Sequence, residues 1–284
     1  MPADALRPLV NYHSHTWRCQ HAAGTEEDYV RAAVDAGYAV LGFADHTPWP
    51  YRSGFVSRMR MRLDQLDDYL GTIRALADKY RDRLFVPVGL ECEAFPEYTE
   101  WLRDLKAEKL DYVLLGNHYD TNDETGGMYF GTCLCAAQVR AYGRLTVAGM
   151  QTGVYDYVAH PDLYCHAYPA FDADCAAVAR DLCAAAEALD IPLEYNLLGL
   201  HLLDRFRAQG GVGYPARQFW EIASGYRIKA ILGLDAHQTH QIARRGLYDQ
   251  ALSELAELGI EVLPFLPGLG GALEARRAPA SNSD

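Results

Sequence analysis

The sequence predicts an α/β fold in which short parallel strands alternate with helices and close into a single barrel. Apolar runs rich in β-branched residues alternate with longer amphipathic segments seven or eight times along the 284 residues. Such alternation is typical of parallel strands joined by helical crossovers, and at this chain length it favours a closed barrel. An open doubly wound sheet is the competing architecture, but the sequence has no glycine-rich dinucleotide fingerprint.

The predicted elements follow from these patterns in order. Strands are predicted over residues 8–12, 39–44, 84–90, 112–116, 155–159, 191–195, 229–234 and, less regularly, 260–264. Helices are predicted over 26–36, 63–80, 98–109, 136–151, 174–188, 216–224 and 241–258, the first opening with a capping box that starts at Thr25. We predict one domain over residues 1–271 and a flexible tail over 272–284, where apolar periodicity is lost.

Composition narrows the function classes. Half of the residues are apolar and 23% are charged, an ordinary globular balance. The net charge of −12 disfavours nucleic acid as a partner, but it does not oppose a small phosphorylated substrate at a site that holds cations. No window approaches the roughly 20 apolar residues of a membrane span, and no signal-peptide pattern precedes the first strand. We expect a cytoplasmic protein, away from membranes, whose seven cysteines are mostly buried thiols.

Histidines and acids are concentrated at the carboxyl ends of the predicted strands. In chain order these positions carry His13, His15, His46, Glu91, Glu93, His118, His160, Asp162, Asp235 and His237, with His21 shortly after the first strand. Because the carboxyl ends of barrel strands meet at one face, these residues are expected to share one pocket.

The residue types at these positions predict a metal site. Residues two apart in an extended chain point the same way, so His13 and His15 can bind one ion together, and Asp235 and His237 can reach one cluster. Imidazole and carboxylate ligands suit Zn, Mn or Fe, and their number exceeds what a single ion needs. We therefore expect two or three divalent ions. Glu91 is the expected bridging carboxylate, with Glu93 as an alternative on the same strand face.

These motifs resemble those of the PHP (polymerase and histidinol phosphatase) superfamily, and specifically its histidinol-phosphate phosphatase branch. The resemblance covers residues 13–237 and rests on the segments HSHTWRCQHAAGTEEDYVRAAVDAGYAVLGFADHTPWP, GLECE, YVLLGNHY, VAHPDLY, PLEYN and LGLDAH. It implies a distorted (β/α)7 TIM-like barrel with a trinuclear metal site at its C-terminal face.

The resemblance also implies a ligand set. One ion would be held by His13, His15, Glu91 and Asp235, a second by Glu91, His118 and His160, and a third by His21, His46 and His237. Behind these ligands, Asp45 and Asp162 are expected to accept hydrogen bonds from imidazole N–H groups.

The implied activity is that of a metal-dependent phosphoesterase. It would hydrolyse a small phosphate monoester, histidinol phosphate or a related metabolite, by a metal-activated hydroxide. Glu91, Asp235 and His237 are the expected catalytic residues, and Asp235 is also a candidate general acid.

Substrate binding is expected to depart from the family pattern. Related phosphatases carry a segment similar to NTAGLR after the sixth strand. The corresponding segment of this chain is NLLGLH, residues 196–201. The arginines that would bind a phosphate group are thus absent from their expected places. We predict Arg18, His201 and Arg205 as substrate-binding residues, with Arg207 as an alternative.

Three other functions remain open. A PHP-type nuclease or nucleotide phosphodiesterase would use the same cluster, and cleavage of dinucleotides would distinguish it. An amidohydrolase barrel also opens with His-x-His, but its bridging lysine has no counterpart at a strand end of this chain. A non-catalytic PHP-like module would bind metal without turnover.

Overall fold

The computed structural model describes residues 8–269. The predicted tail and the predicted domain boundary at residue 271 lie outside this range, so the single-domain assignment stays a prediction. The strands are β1 (Leu9–Asn11), β2 (Tyr38–Leu41), β3 (Phe43–His46), β4 (Val88–Cys92), β5 (Tyr112–Leu115), β6 (Tyr157–Val158), β7 (Leu193–Asn196), β8 (Lys229–Gly233) and β9 (Glu261–Val262). The helices are α1 (Glu26–Ala36), α2 (Leu66–Lys79), α3 (Thr99–Lys109), α4 (Ala136–Gln151), α5 (Ala173–Leu189), α6 (Leu197–Ala208), α7 (Arg217–Ala223), α8 (Thr239–Ile242) and α9 (Arg245–Glu257).

The strands pair in parallel and in chain order. Strands β3 to β9 form a seven-stranded sheet, and β1 pairs with β2 in a two-stranded sheet. The segment after β1 joins the two sheets through two backbone hydrogen bonds. The Ser14 oxygen accepts one from the Ala44 nitrogen on β3, and the His13 oxygen accepts the other from the Ala236 nitrogen, just after β8. The first strand is thereby linked to both sides of the larger sheet, the connection that a closed barrel requires. The predicted α/β class with a parallel sheet is confirmed.

The two faces of the sheet carry different residues. On β5, Val113 and Leu115 belong to the large apolar core shared with the helices, whereas Leu114 belongs to a smaller cluster on the other face. Glu91 is paired with Leu114 across β4 and β5, and Glu194 is paired with Ile231 across β7 and β8. Both carboxylates therefore lie on the inner face, below the ends of the strands.

The predicted strand over 39–44 is two strands, β2 and β3, separated at Gly42. A side chain at Gly42 would overlap the Tyr112 hydroxyl, which donates hydrogen bonds to the backbone oxygens of Tyr12 and Phe43 at 2.7 and 3.0 Å. The break at Gly42 thus makes room for a buried phenol, and β3 then carries the chain to His46.

The helices largely follow the prediction. The capping box at Thr25 is confirmed, since its side chain accepts from the Asp28 nitrogen and the Asp28 side chain accepts in return. The helix predicted over 241–258 is interrupted between α8 and α9. Helix α6 is absent from the prediction. It starts at Leu197, and the side chain of the preceding Asn196 caps it by accepting a hydrogen bond from the Gly199 nitrogen at 2.7 Å. Of the helices in the described residues, none combines the length and apolar character needed to cross a membrane.

Candidate metal centre

Glu91 lies at the centre of the predicted ligand cluster. Its Oε2 is 3.0 Å from His46 Nδ1 and 3.4 Å from His13 Nε2. Its Oε1 is 2.8 Å from His160 Nε2 and 3.4 Å from His118 Nε2. The carboxylate of Glu91 therefore stands between two groups of imidazoles, as a bridging ligand must.

Asp235 holds the opposite side of the cluster. Its Oδ1 is 3.1 Å from His15 Nε2, 3.6 Å from His13 Nε2 and 3.5 Å from His237 Nδ1. The ring of His21 stacks at 4.8 Å on that of His237. Together with the contacts of Glu91, these distances bring all of the predicted ligands into one site.

The backbone is strained at two of the ligands. His160 has φ of 29° and Asp235 has φ of 49°, in a region that residues other than glycine rarely occupy. Such strain costs on the order of 1–3 kcal/mol per residue and is commonly found at functional sites. At both positions the strained residue follows a strand end and contacts another member of the cluster.

Several polar atoms in the cluster are buried without a hydrogen-bond partner. Within residues 8–269 they include the Nε2 atoms of His13 and His15 and Oε2 of Glu91. Burying an unpaired polar atom is costly, so native proteins satisfy such atoms with ligands or water. Trios of donor atoms within 4.8 Å of one another include His15–His46–His237, His13–His15–Asp235 and His13–Glu91–His160. The unpaired atoms and the imidazole–carboxylate donor set fit divalent cations of the Zn, Mn or Fe type.

Two carboxylates behind the cluster, Glu194 and Asp45, orient two of its imidazoles. The Nδ1 atom of His13 is 2.8 Å from Glu194, and that of His15 is 3.4 Å from Asp45. The expected role of Asp45 is confirmed. Glu194 went unpredicted, although an acid inside the apolar run of β7 was the available signal. Contacts of this kind fix the ring orientation and raise the basicity of the ligand nitrogen.

Asp162 does not take the role predicted for it. Its carboxylate accepts a hydrogen bond from the Ala216 backbone nitrogen at 2.7 Å, and in the described range the Nδ1 atom of His160 has no hydrogen-bond partner. The side chain of Asp162 therefore supports the backbone ahead of α7 and does not orient an imidazole.

Glu93 supports the cluster from behind His118. It is 3.3 Å from His118 Nδ1, and it accepts hydrogen bonds from Arg60 at 2.9 Å and from Trp49 at 3.0 Å. These contacts join Glu93 to one imidazole of the cluster, whereas Glu91 contacts His13, His46, His118 and His160. Glu91, and not Glu93, thus has the position expected of the bridging carboxylate.

The charges of the cluster perturb its imidazoles in opposite directions. Burial lowers the pKa of His15, but its contacts with Asp235 and Asp45 outweigh this effect and raise the pKa to about 9. Burial and the neighbouring charge of His15 lower the pKa of His46 to about 3 and that of His237 to about 3. In the metal-free cluster, a proton on His15 therefore supplies positive charge that a cation would otherwise bring.

Zinc binding at pH 7 is expected to release about one to two protons, because a ligating imidazole must be neutral. The pKa of His15 is about 9. Burial lowers the pKa of His13, but the charges of Glu194 and Asp235 outweigh it and hold that pKa well above its usual value. Both rings are thus protonated at pH 7 before metal binds, and the apparent zinc affinity should rise as pH increases from 7 towards 9. Calorimetric titration in two buffers of different ionisation enthalpy measures the release; an enthalpy of binding that is the same in both would contradict it.

The substitution Glu194→Gln is expected to weaken zinc binding by about 10- to 100-fold, since the ring of His13 loses its charged acceptor. Competition with a chromophoric chelator measures the affinity. Glu100→Gln is a matched control because its side chain is 83% exposed on α3 and pairs with Arg103, outside the cluster. Equal zinc affinities of the Glu194 variant and this control would show that the contact is not used.

The cluster opens into a cleft of about 330 Å³. Besides metal ligands, the residues that line it are Met59, Tyr119, Tyr129, Leu163, Leu198 and Tyr214. The cleft is large enough for a small metabolite that reaches the ligands from one side.

The structure does not bring the three predicted substrate-binding residues to this cleft. Arg18 is only 3% exposed and forms ion pairs with Glu26 and Asp68, so the turn that carries it directs its guanidinium towards α1 and α2. His201 lines a separate cavity formed by α6, α7 and α9. Arg205 is exposed near the end of α6. The motif positions of these residues thus do not predict where their side chains point.

Known proteins resemble this chain over most of its length. A model of the PHP domain family matches residues 11–196. A protein of Deinococcus radiodurans named "Probable histidinol-phosphatase" is 30% identical over 281 residues, which cover 90% of this chain and 96% of that protein.

Two solved structures share the fold. The hisK protein of Listeria monocytogenes has a TM-score of 0.68 at 20% identity, covering 83% of this chain and 98% of its own. The histidinol phosphate phosphatase of Lactococcus lactis, solved with zinc, L-histidinol and phosphate, has a TM-score of 0.64 at 18% identity, covering 89% of this chain and 95% of its own. From the family match and the Deinococcus relative, together with the ligand cluster, we conclude that the chain belongs to the PHP domain family, in its histidinol-phosphatase branch.

Proposed function

We propose that the protein hydrolyses a small phosphate monoester with the help of two or three divalent cations held by the clustered side chains. The observation that carries this proposal is the buried Glu91 carboxylate, which lies between two groups of imidazoles, with the Nε2 atoms of His13 and His15 left unpaired. The name of the Deinococcus relative and the zinc, histidinol and phosphate in the Lactococcus structure support the same reaction class.

The family resemblance implies how the cations would be distributed, and the donor trio His13–His15–Asp235 supports the first of the sites. His13, His15 and Asp235 would hold one ion, and Glu91 would link it to a second ion at His118 and His160. His21, His46 and His237 would hold a third. Bound divalent cations supply an activated water nucleophile and offset charge on phosphoryl oxygens.

The chain's own carboxylates have distinct tasks in this scheme. Asp45 and Glu194 hold His15 and His13 in orientation through their Nδ1 atoms. Burial raises the pKa of Asp235, but the charges of His13, His15 and His237 outweigh it and hold the pKa well below its usual value. Asp235 is thus ionised at neutral pH, the form in which a carboxylate ligates a metal ion. Its role as general acid stays a prediction.

The test is a phosphate-release screen with zinc- and manganese-loaded protein. Histidinol phosphate, other metabolite monoesters and dinucleotides are the substrates. We expect phosphate release from one or more monoesters, histidinol phosphate first among them, and loss of that release when a chelator removes the metal. Cleavage of dinucleotides without monoester hydrolysis would favour the nuclease, and metal-replete protein inactive on every substrate would refute the proposal.

A further inference from the structure

The cleft offers an anionic substrate no cationic side chain. Among residues 8–269, its lining contains neither arginine nor lysine. The buried Arg60 lies behind the cluster, where it forms ion pairs with Glu93 and Asp123. Arg18 is likewise committed to Glu26 and Asp68. A phosphate group that enters the cleft would therefore meet other hydrogen-bond donors beside the metal ligands.

Two tyrosines occupy the position where such donors are needed. The ring of Tyr129 lies parallel to that of His118, with centroids 6.4 Å apart, and the ring of Tyr214 meets His160 edge-on at 6.2 Å. His118 and His160 are the two imidazoles that contact Oε1 of Glu91. The phenols thus flank one side of the cluster, between it and the open cleft.

The hydroxyls of these tyrosines are unengaged. Neither Tyr129 nor Tyr214 forms a side-chain hydrogen bond within the part of the chain that the structure describes. The third tyrosine of the cleft differs, because the Tyr119 hydroxyl lies 2.8 Å from the sulfur of Met59. Tyr214 lines the cleft, so its hydroxyl is available to a ligand that enters there.

A tyrosine hydroxyl is ordinarily protonated at neutral pH, because its pKa is about 10. At neutral pH each hydroxyl is therefore a donor, the form that suits the oxygen of a phosphate.

We propose that Tyr129 and Tyr214 donate hydrogen bonds to the phosphoryl oxygens of the substrate, in place of the arginines that the cleft lacks. The inference rests on the proposed function, since it names the phosphate-recognition residues of that same site. The tyrosines bind the phosphate group, and the histidines and acids hold the metal ions.

The experiment measures binding of inorganic phosphate to zinc-loaded protein by calorimetry, with zinc content determined for each variant. Tyr129→Phe and Tyr214→Phe remove only the hydroxyls. Each is expected to weaken phosphate binding about ten-fold, the effect of losing a hydrogen bond to a charged group, with zinc content unchanged. The double variant should bind phosphate more weakly than either single variant, and not necessarily by the product of the two effects, because both hydroxyls contact the same group.

Tyr119→Phe is the matched comparison, since it removes a hydroxyl that is already engaged in the same cleft. It should weaken phosphate binding by less than about two-fold. The inference would be overturned by a double variant that binds phosphate as the wild type does, by an equal loss in Tyr119→Phe, by loss of zinc from either single variant, or by a wild-type protein that binds no phosphate.

Phosphate binding is read without turnover, so the two proposals can fail separately. Phosphate binding that depends on the tyrosines in a protein that hydrolyses no monoester would refute the proposed function alone. Monoester hydrolysis with phosphate binding that is indifferent to both hydroxyls would refute the tyrosine assignment alone.

Discussion

Replacing Glu91 by glutamine is expected to lower kcat/KM for monoester hydrolysis by about three orders of magnitude or more, the scale of losing a metal ion's stabilisation of the transition state. Against the effect of burial, the imidazoles of His118, His13 and His46 hold the pKa of Glu91 well below its usual value, so it is ionised throughout the neutral range. Glutamine keeps the shape of the side chain and removes its negative charge. The two oxygens of Glu91 would then no longer carry the charge that binds cations on both sides. Steady-state kinetics and metal content per chain measure the effect.

The exposed Glu100→Gln variant controls for the chemical change itself and should keep wild-type kinetics. Circular dichroism should show the same secondary structure in both variants, because Glu91 belongs to the inner face and not to the large apolar core. A Glu91→Gln protein with wild-type turnover and full metal content would mean that the carboxylate bridges nothing.

Adding one methyl group at Gly116 is expected to lower turnover by about a hundred-fold, the usual scale of effect when a catalytic group moves by ~1 Å. Gly116 follows β5, and a Cβ there would overlap Oε1 of Glu91 and lie 2.6 Å from its Cγ. Its φ lies outside the left-handed region, so alanine adds no backbone strain, and the whole effect falls on the position of Glu91. Turnover and zinc affinity of Gly116→Ala measure the displacement.

Gly71→Ala is the matched control. Gly71 lies on the exposed side of α2, where a Cβ would meet nothing within 4 Å. It should leave turnover unchanged and stabilise the fold by up to about 1 kcal/mol through higher helix propensity. If Gly116→Ala behaved like Gly71→Ala, Glu91 would have room to move without loss, contrary to the packing seen around it.

The clustered histidines and acids could be located from the sequence because of where parallel strands end. Most of them lie at or just after the end of a short apolar run, and a barrel brings those ends together whatever the details of the helices outside it. His13 and His15 also share a face by strand periodicity alone. These inferences need neither the register of the sheet nor the path of any loop.

The supporting residues depend on details that the sequence does not reveal. Glu194 has apolar residues on both sides along β7, and only its pairing with Ile231 places it on the inner face, behind His13. Arg60 is 33 residues before Glu93 in the sequence, and it contacts Glu93 because of the path that an irregular loop takes. Arg18 shows the converse, because it lies among ligand motifs while its side chain turns to Glu26.

Two differences between the predicted and the observed elements have separate causes. The strand break at Gly42 depends on Tyr112, a residue from a different strand. Helix α6 carries apolar residues around much of its circumference, so its sequence has little of the amphipathic periodicity that predicts a helix.

The most direct test of the account is a crystal of zinc-loaded protein measured on both sides of the zinc absorption edge. Two or three anomalous peaks are expected among the clustered side chains, about 2.0–2.2 Å from imidazole nitrogens and carboxylate oxygens, with Glu91 shared between two of them. Fully loaded crystals with no peak at these atoms, or with zinc only on the outer surface, would contradict the claim that this cluster holds the metals of the reaction.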